Sequence, residues 1–224
     1  MMLTATSVVA ALFAFTAFAA PAVSPSALPP IIISVTTAGD LSPELIARIF
    51  KETDAIWRPG GITFLWRLVT REAVPFARAG ETGPYVANTL RLNIGNASGQ
   101  PRDGRMPLGW IVFDDVSTPQ QEIYLSYANA QAVMAESRGV VGVIAEMPIV
   151  QRETLLARAM GRALAHELGH YLLASKVHTN RGLMKAILNA AELFTSDARG
   201  LRIAPAQAQA IVARLRGEPL VASR

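Results

Sequence analysis

The stretch from residue 152 to 173, RETLLARAMGRALAHELGHYLL, decides the fold. An apolar side chain stands at every fourth position of its second part: Leu156, Met160, Leu164, Leu168 and Leu172. This spacing is typical of a helix that buries one stripe of side chains against a core. We therefore predict one long helix over residues 152–173, packed on the rest of the domain.

The segments around this helix predict a sheet. Apolar or alternating runs predict strands at Ile31–Thr36, Ile62–Val69, Thr89–Ile94, Leu108–Phe113 and Glu122–Tyr127. Helices are predicted from Pro43, which follows a capping Ser42, and at Asn129–Glu136 and Ala206–Leu215. The run Gly139–Ile144 fits either a buried strand or a loop. Strands grouped before the main helix predict a mixed α/β (α+β) domain with helices on one face of the sheet.

Composition limits the classes of protein to which the chain can belong. With 224 residues, of which 51% are hydrophobic and 17% charged, it can bury the core of one domain. The net charge of +4 is spread along the chain, so we expect no nucleic-acid partner, since phosphate binding needs clustered charge. The absence of cysteine excludes disulfides, thiolate metal sites and cysteine nucleophiles.

The N-terminus has the pattern of an export signal. The run Val8–Ala20 is apolar, and Ala17 and Ala19 are small residues at the positions that a signal peptidase reads. We predict a signal peptide over residues 1–19, a linker over 20–30 and a catalytic domain over 31–224. A retained membrane anchor is the rival interpretation, although the run is short for a span. We expect a secreted or periplasmic protein without stable membrane association after cleavage.

The long helix carries a candidate metal site. His166 and His170 are four residues apart, so their imidazoles project from the same side of the helix and can share one ion. Glu167 lies about 100° around the helix from His166, where it can act as a general base without being forced to bind the metal. The chain has three histidines, all between residues 166 and 178, which favours a common role.

A catalytic zinc ion needs a third protein ligand. His178 is the leading candidate, and it reaches the metal only if the helix ends near Leu173 or Ala174 and the chain turns back. Glu192, in a following segment, is the rival, and Asp197 is a further possibility. The predicted cofactor is one Zn²⁺ ion held by His166, His170 and His178.

The run His166–His170 (HELGH), followed by His178 and then by Met184, resembles the metzincin clan of zinc peptidases, most closely its matrixin-like branch. The resemblance implies three histidine ligands, Glu167 as the catalytic base and Met184 in a turn beneath the metal. It also implies a zincin-like fold, with a twisted mixed sheet, a long active-site helix and a small C-terminal helical subdomain. The third histidine comes two residues later than in the family pattern, and Leu173 stands where the family has glycine.

These features together predict a secreted zinc-dependent metallopeptidase whose substrate is a protein or peptide. An extended substrate would add to an exposed sheet edge, for which Leu108–Phe113 and Glu122–Tyr127 are the two candidates. Two other functions stay open: a zinc hydrolase of a non-peptide amide, and a non-catalytic zinc-binding or interaction domain. A purely structural zinc site has no need of a base such as Glu167 and usually closes with a fourth protein ligand.

Overall fold

One five-stranded sheet and six helices make up the part of the chain that the computed structural model describes, residues 28–39, 41–69, 89–101 and 104–217. The strands are β1 (Ile31–Thr37), β2 (Phe64–Leu68), β3 (Thr89–Gly95), β4 (Gly109–Phe113) and β5 (Pro119–Ser126). The helices are α1 (Pro43–Trp57), α2 (Tyr127–Glu136), α3 (Arg138–Val141), α4 (Ile149–Leu173), α5 (Ala190–Phe194) and α6 (Pro205–Arg216). The predicted mixed α/β architecture is confirmed.

The sheet is mostly parallel, with one antiparallel strand at its edge. Its strand order is β2-β1-β3-β5-β4, in which β1, β2, β3 and β5 run parallel and β4 runs antiparallel to β5. Within the described residues β4 pairs with β5 alone, so it is an edge strand of the sheet. Of the two candidate edges, Leu108–Phe113 therefore lies at the rim. The expectation that Glu122–Tyr127 offers an edge is wrong, because β5 is enclosed between β3 and β4.

The core lies between the sheet and the two longest helices. Alternate residues of the central strands are buried, and Ile33, Leu92 and Ile123 are each at most 1% exposed. Helix α1 lies against α4, where the Trp57 indole donates to the Ala165 carbonyl over 3.3 Å and the Thr53 hydroxyl donates to the Gly161 carbonyl over 3.0 Å. These buried polar contacts fix α1 on the half of α4 that precedes the histidines.

Helix α4 is the predicted long helix, beginning three residues earlier than expected. Every member of its predicted apolar stripe is at most 2% exposed: Leu156, Met160, Leu164, Leu168 and Leu172. The helix ends at Leu173, and Ala174 follows with a left-handed backbone at φ 48°. Glycine is the usual residue in this conformation because a Cβ costs free energy there. Alanine makes the turn here under strain.

Two segments differ from their predictions. The run Gly139–Ile144 is neither strand nor plain loop, because its first part belongs to the short helix α3 and a 3-10 turn follows at Ile144–Glu146. Helix α5 was not predicted as an element, since five residues are too few to show a helical period. The C-terminal helix is confirmed as α6.

The predicted signal peptide (1–19) and most of the linker (20–30) lie outside the described residues. No described helix has the length and apolar character required to cross a bilayer.

Candidate metal centre

The structure brings the three histidines together around one point. The Nε2 atom of His170 lies 3.0 Å from Nε2 of His166 and 3.2 Å from Nε2 of His178. His166 and His170 come from successive turns of α4, and His178 comes from the loop that follows the helix. This is the group of side chains in the described residues that could hold a metal ion, with its candidate ligand atoms all within 4.8 Å of one another.

Backbone carbonyl groups orient two of the three rings. Nδ1 of His166 lies 2.8 Å from the Leu183 carbonyl oxygen, and Nδ1 of His170 lies 2.6 Å from the Ser175 carbonyl oxygen. A carbonyl oxygen can only accept a hydrogen bond, so each Nδ1 must carry the proton. In the neutral ring the proton is then absent from Nε2, which presents a lone pair. Both lone pairs point into the space between the rings.

Burial favours the neutral form of the first histidine. Desolvation lowers the pKa of His166, and the nearby His178 acts in the same direction, while the bond to the Leu183 carbonyl opposes them. Neutral imidazole is the form that binds metals. His170 is buried and His178 is exposed, so the group is closed on the α4 side and open to solvent on the loop side.

The loop after α4 turns back at once, which is what brings His178 to the helix. The Ser175 amide donates to the His170 carbonyl over 3.2 Å, and the Val177 amide donates to the Ser175 hydroxyl over 3.1 Å. Ala174, with its left-handed backbone, lies directly before Ser175 and reverses the chain direction there. The chain therefore returns toward the helix through Ala174 and Ser175.

Met184 packs against the helix between the two histidine positions. Its side chain is fully buried, and it lies so close to Gly169 that a Cβ there would overlap the Met184 sulfur and come within 3.1 Å of its Cε. The Thr179 amide donates to the Met184 carbonyl over 2.8 Å, which ties this segment to the loop carrying His178. The segment around Met184 thus packs on the helix that carries His166 and His170, and it is hydrogen-bonded to the loop that carries His178.

Glu167 lies on the side of α4 that faces the edge strand. The residue is 9% exposed, and the position of a Cβ built on Gly109 at the start of β4 is only 3.1 Å from the Glu167 Cγ. Helix α4 packs against both β4 and β5. The predicted base therefore lies between helix α4, which carries His166 and His170, and the edge strand β4.

The two rival ligands, Glu192 and Asp197, form hydrogen bonds and ion pairs elsewhere. Both carboxylate oxygens of Glu192 accept from the Lys185 ammonium group, over 2.8 and 2.9 Å, and the Asn189 amide donates to the same carboxylate. The hydrogen bond from the Asn189 backbone amide lowers the pKa of Glu192 most, and the hydrogen bond from Lys185 lowers it further. Asp197 forms an ion pair with Arg199, which lowers its pKa to about 2. Neither carboxylate belongs to the group that could hold a metal.

Some members of the site leave no mark in a sequence motif. The carbonyl groups of Ser175 and Leu183 orient the histidines, but a backbone acceptor can belong to any residue type. Gly109 lies against Glu167 from another element, and its only sequence signal is a glycine at the start of a predicted strand, which can mark a close approach. No family model matches this chain, and no curated protein matches it as a relative.

Proposed function

We propose that this chain is a secreted zinc-dependent metallopeptidase with a zincin-like fold, in which His166, His170 and His178 hold one zinc ion and Glu167 is the general base. The single observation that carries the proposal is the convergence of two Nε2 lone pairs on a third imidazole. The lone pairs of two neutral imidazole rings repel each other at such distances. A cation placed between the rings would replace this repulsion with coordination bonds.

The spacing of the nitrogens supports zinc in particular. Tetrahedral zinc with Zn–N bonds of about 2.0–2.1 Å separates its nitrogen ligands by about 3.3 Å. The 3.0 and 3.2 Å separations of the Nε2 atoms are within a few tenths of an ångström of this value. Hydrogen bonds from Nδ1 to carbonyl groups are also the usual second interaction of metal-binding histidines. Three nitrogen ligands leave a fourth position for water and substrate.

Glu167 supplies the proton chemistry that peptide hydrolysis needs. A zinc ion, when bound, lowers the pKa of water and polarises a carbonyl group. The Glu167 carboxylate accepts the proton of the attacking water and then donates it to the departing amine, so that one group serves both steps. Glu167 lies between α4 and β4 and is 9% exposed, so it is largely shielded from solvent.

The open edge of β4 supports an extended peptide as the substrate. A peptide added as a further strand would form backbone hydrogen bonds with β4, which has no outer partner among the described residues. Because Gly109 of β4 lies against Glu167, a peptide bond placed at that point of the strand would lie near the base. Export from the cytoplasm is inferred from the apolar run Val8–Ala20 and is consistent with a chain that has no cysteine.

Elemental analysis and proteolysis assays test the proposal. We expect about one zinc per purified chain, and hydrolysis of casein that a chelator stops and added zinc restores. Glu167→Ala should lower kcat by a factor of about 10²–10⁴ and retain zinc, because the base is not a ligand. His178→Ala should lose zinc, whereas Glu192→Gln should keep it, since Glu192 is paired with Lys185. Zinc binding without any hydrolysis would favour a non-catalytic zinc domain and refute the proposal.

A further inference from the structure

Gly109 is the first residue of the edge strand β4 and lies beside Glu167, the proposed base. Its environment leaves no room for a side chain. A Cβ built there would lie 2.9 Å from Cδ2 of Leu125, 3.1 Å from Cγ of Glu167 and 3.2 Å from the carbonyl oxygen of Tyr124. Carbon atoms that are not bonded prefer separations of about 3.5–4.0 Å. The two carbon–carbon contacts are shorter than this, so any larger residue must displace Leu125, Glu167 or the strand itself.

The three groups differ in how freely they can move. Leu125 is 1% exposed and belongs to the core, so its methyl group has no empty space to enter. The Tyr124 carbonyl belongs to β5, where Tyr124 is the ladder partner of Trp110. The remaining group is the stem of Glu167, whose carboxylate is carried on rotatable bonds. A side chain at position 109 would therefore displace Glu167 in particular.

We propose that Gly109 is a positioning residue for Glu167: the absence of a side chain at the start of β4 sets where the catalytic carboxylate lies. The inference rests on the proposed function, because it concerns the base of that reaction. Gly109 acts through Glu167 and not on the metal, since its contacts are with the glutamate stem, Leu125 and the Tyr124 backbone.

The primary test compares Gly109→Ala with the wild-type protein, both loaded with zinc. A shift of the base by a few tenths of an ångström should lower kcat by a factor of roughly ten, since misplacement by about 1 Å costs about a hundredfold. KM and the Kd for zinc should stay within about twofold of wild type, because neither the histidines nor the outer side of β4 changes. Gly95→Ala is the matched control: Gly95 also lies in a strand, but its Cβ would meet only Ala38 Cβ at an ordinary 3.9 Å.

A double-mutant cycle with Glu167→Ala separates positioning from a general effect on the strand. Alanine at position 167 has no Cγ, so Gly109→Ala should leave the residual kcat of that protein unchanged. An unchanged kcat in Gly109→Ala alone would overturn the proposal. An equal loss of kcat with and without Glu167 would also overturn it, because the effect would then run through another group.

Urea unfolding of the metal-free proteins gives a readout that does not depend on activity. Gly109→Ala should lower the unfolding midpoint in the presence of Glu167, and the loss should be smaller in the Glu167→Ala background. If Gly109→Ala does not fold alone, recovery of folding in the double variant supports the contact, and failure to recover refutes it. If the wild-type protein binds zinc but does not hydrolyse peptides, the proposed function is refuted. The double-mutant cycle of urea unfolding midpoints would still test the Gly109–Glu167 contact separately.

Discussion

Replacing Gly169 by alanine tests whether the packing of Met184 holds the histidine group in shape. The new Cβ would overlap the Met184 sulfur and stand 3.1 Å from its Cε, with the Trp57 ring 3.7 Å away on another side. Met184 is fully buried, so its side chain cannot yield into solvent and the segment that carries it must move. Overpacking of this kind costs about 1–3 kcal/mol of folding free energy.

The displacement should also reach the proposed zinc site. Leu183 precedes Met184, and its carbonyl accepts the Nδ1 hydrogen bond of His166 over 2.8 Å. Losing such an orienting bond typically weakens metal binding by a factor of about 10–100. We therefore expect Gly169→Ala to lower the free energy of unfolding of the metal-free protein by about 1–3 kcal/mol and to raise the zinc Kd at least tenfold.

Urea titration and competition with a chelator of known affinity measure the two effects. Gly139→Ala is the control, because Gly139 lies in α3 and a Cβ there meets nothing within 4 Å. Met184→Ala removes the colliding atoms, so the cost of Gly169→Ala should be smaller in that background. A Gly169→Ala protein with wild-type stability and wild-type zinc affinity would refute the reasoning.

Three other substitutions test separate parts of the structure. Ala174→Gly should raise the free energy of unfolding by roughly 0.5–1 kcal/mol in urea titrations, because Ala174 has φ 48° and glycine carries no Cβ strain there; a destabilised variant would contradict that account. Arg162→Ala should lower the free energy of unfolding by about 3 kcal/mol, since the fully buried guanidinium group donates to Glu52 over 2.8 Å and to the Glu192 carbonyl over 2.7 Å. An unchanged free energy of unfolding would show that neither hydrogen bond contributes to stability. The Glu192 pKa lies below its usual 4.5, so its carboxylate stabilises the fold at pH above about 4.5, and this contribution is lost as the pH falls through the lowered pKa. The difference in free energy of unfolding between wild type and Glu192→Gln should accordingly shrink in acid. If this difference does not change with pH, it does not arise from the ionisation of Glu192.

The helical part of the site follows from local periodicity. A repeat of 3.6 residues places His166 and His170 on one side of α4 and the apolar stripe on another, whatever the rest of the chain does. The end of α4 at Leu173 and the strands with clear alternation were predicted for the same reason. The segment around residue 140 and helix α5 were not, because four or five residues carry too little pattern to distinguish a helix from a loop.

The sequence by itself determined a long amphipathic helix with two histidines and a glutamate on it, since side-chain direction along a helix depends only on residue spacing. Tertiary structure decided the rest of the centre. It turned the chain back through Ala174 to bring His178 within 3.2 Å of His170, paired Glu192 with Lys185, and placed Gly109 against Glu167. These contacts join residues from different elements, and their distances depend on how strands and helices pack, which no local spacing specifies.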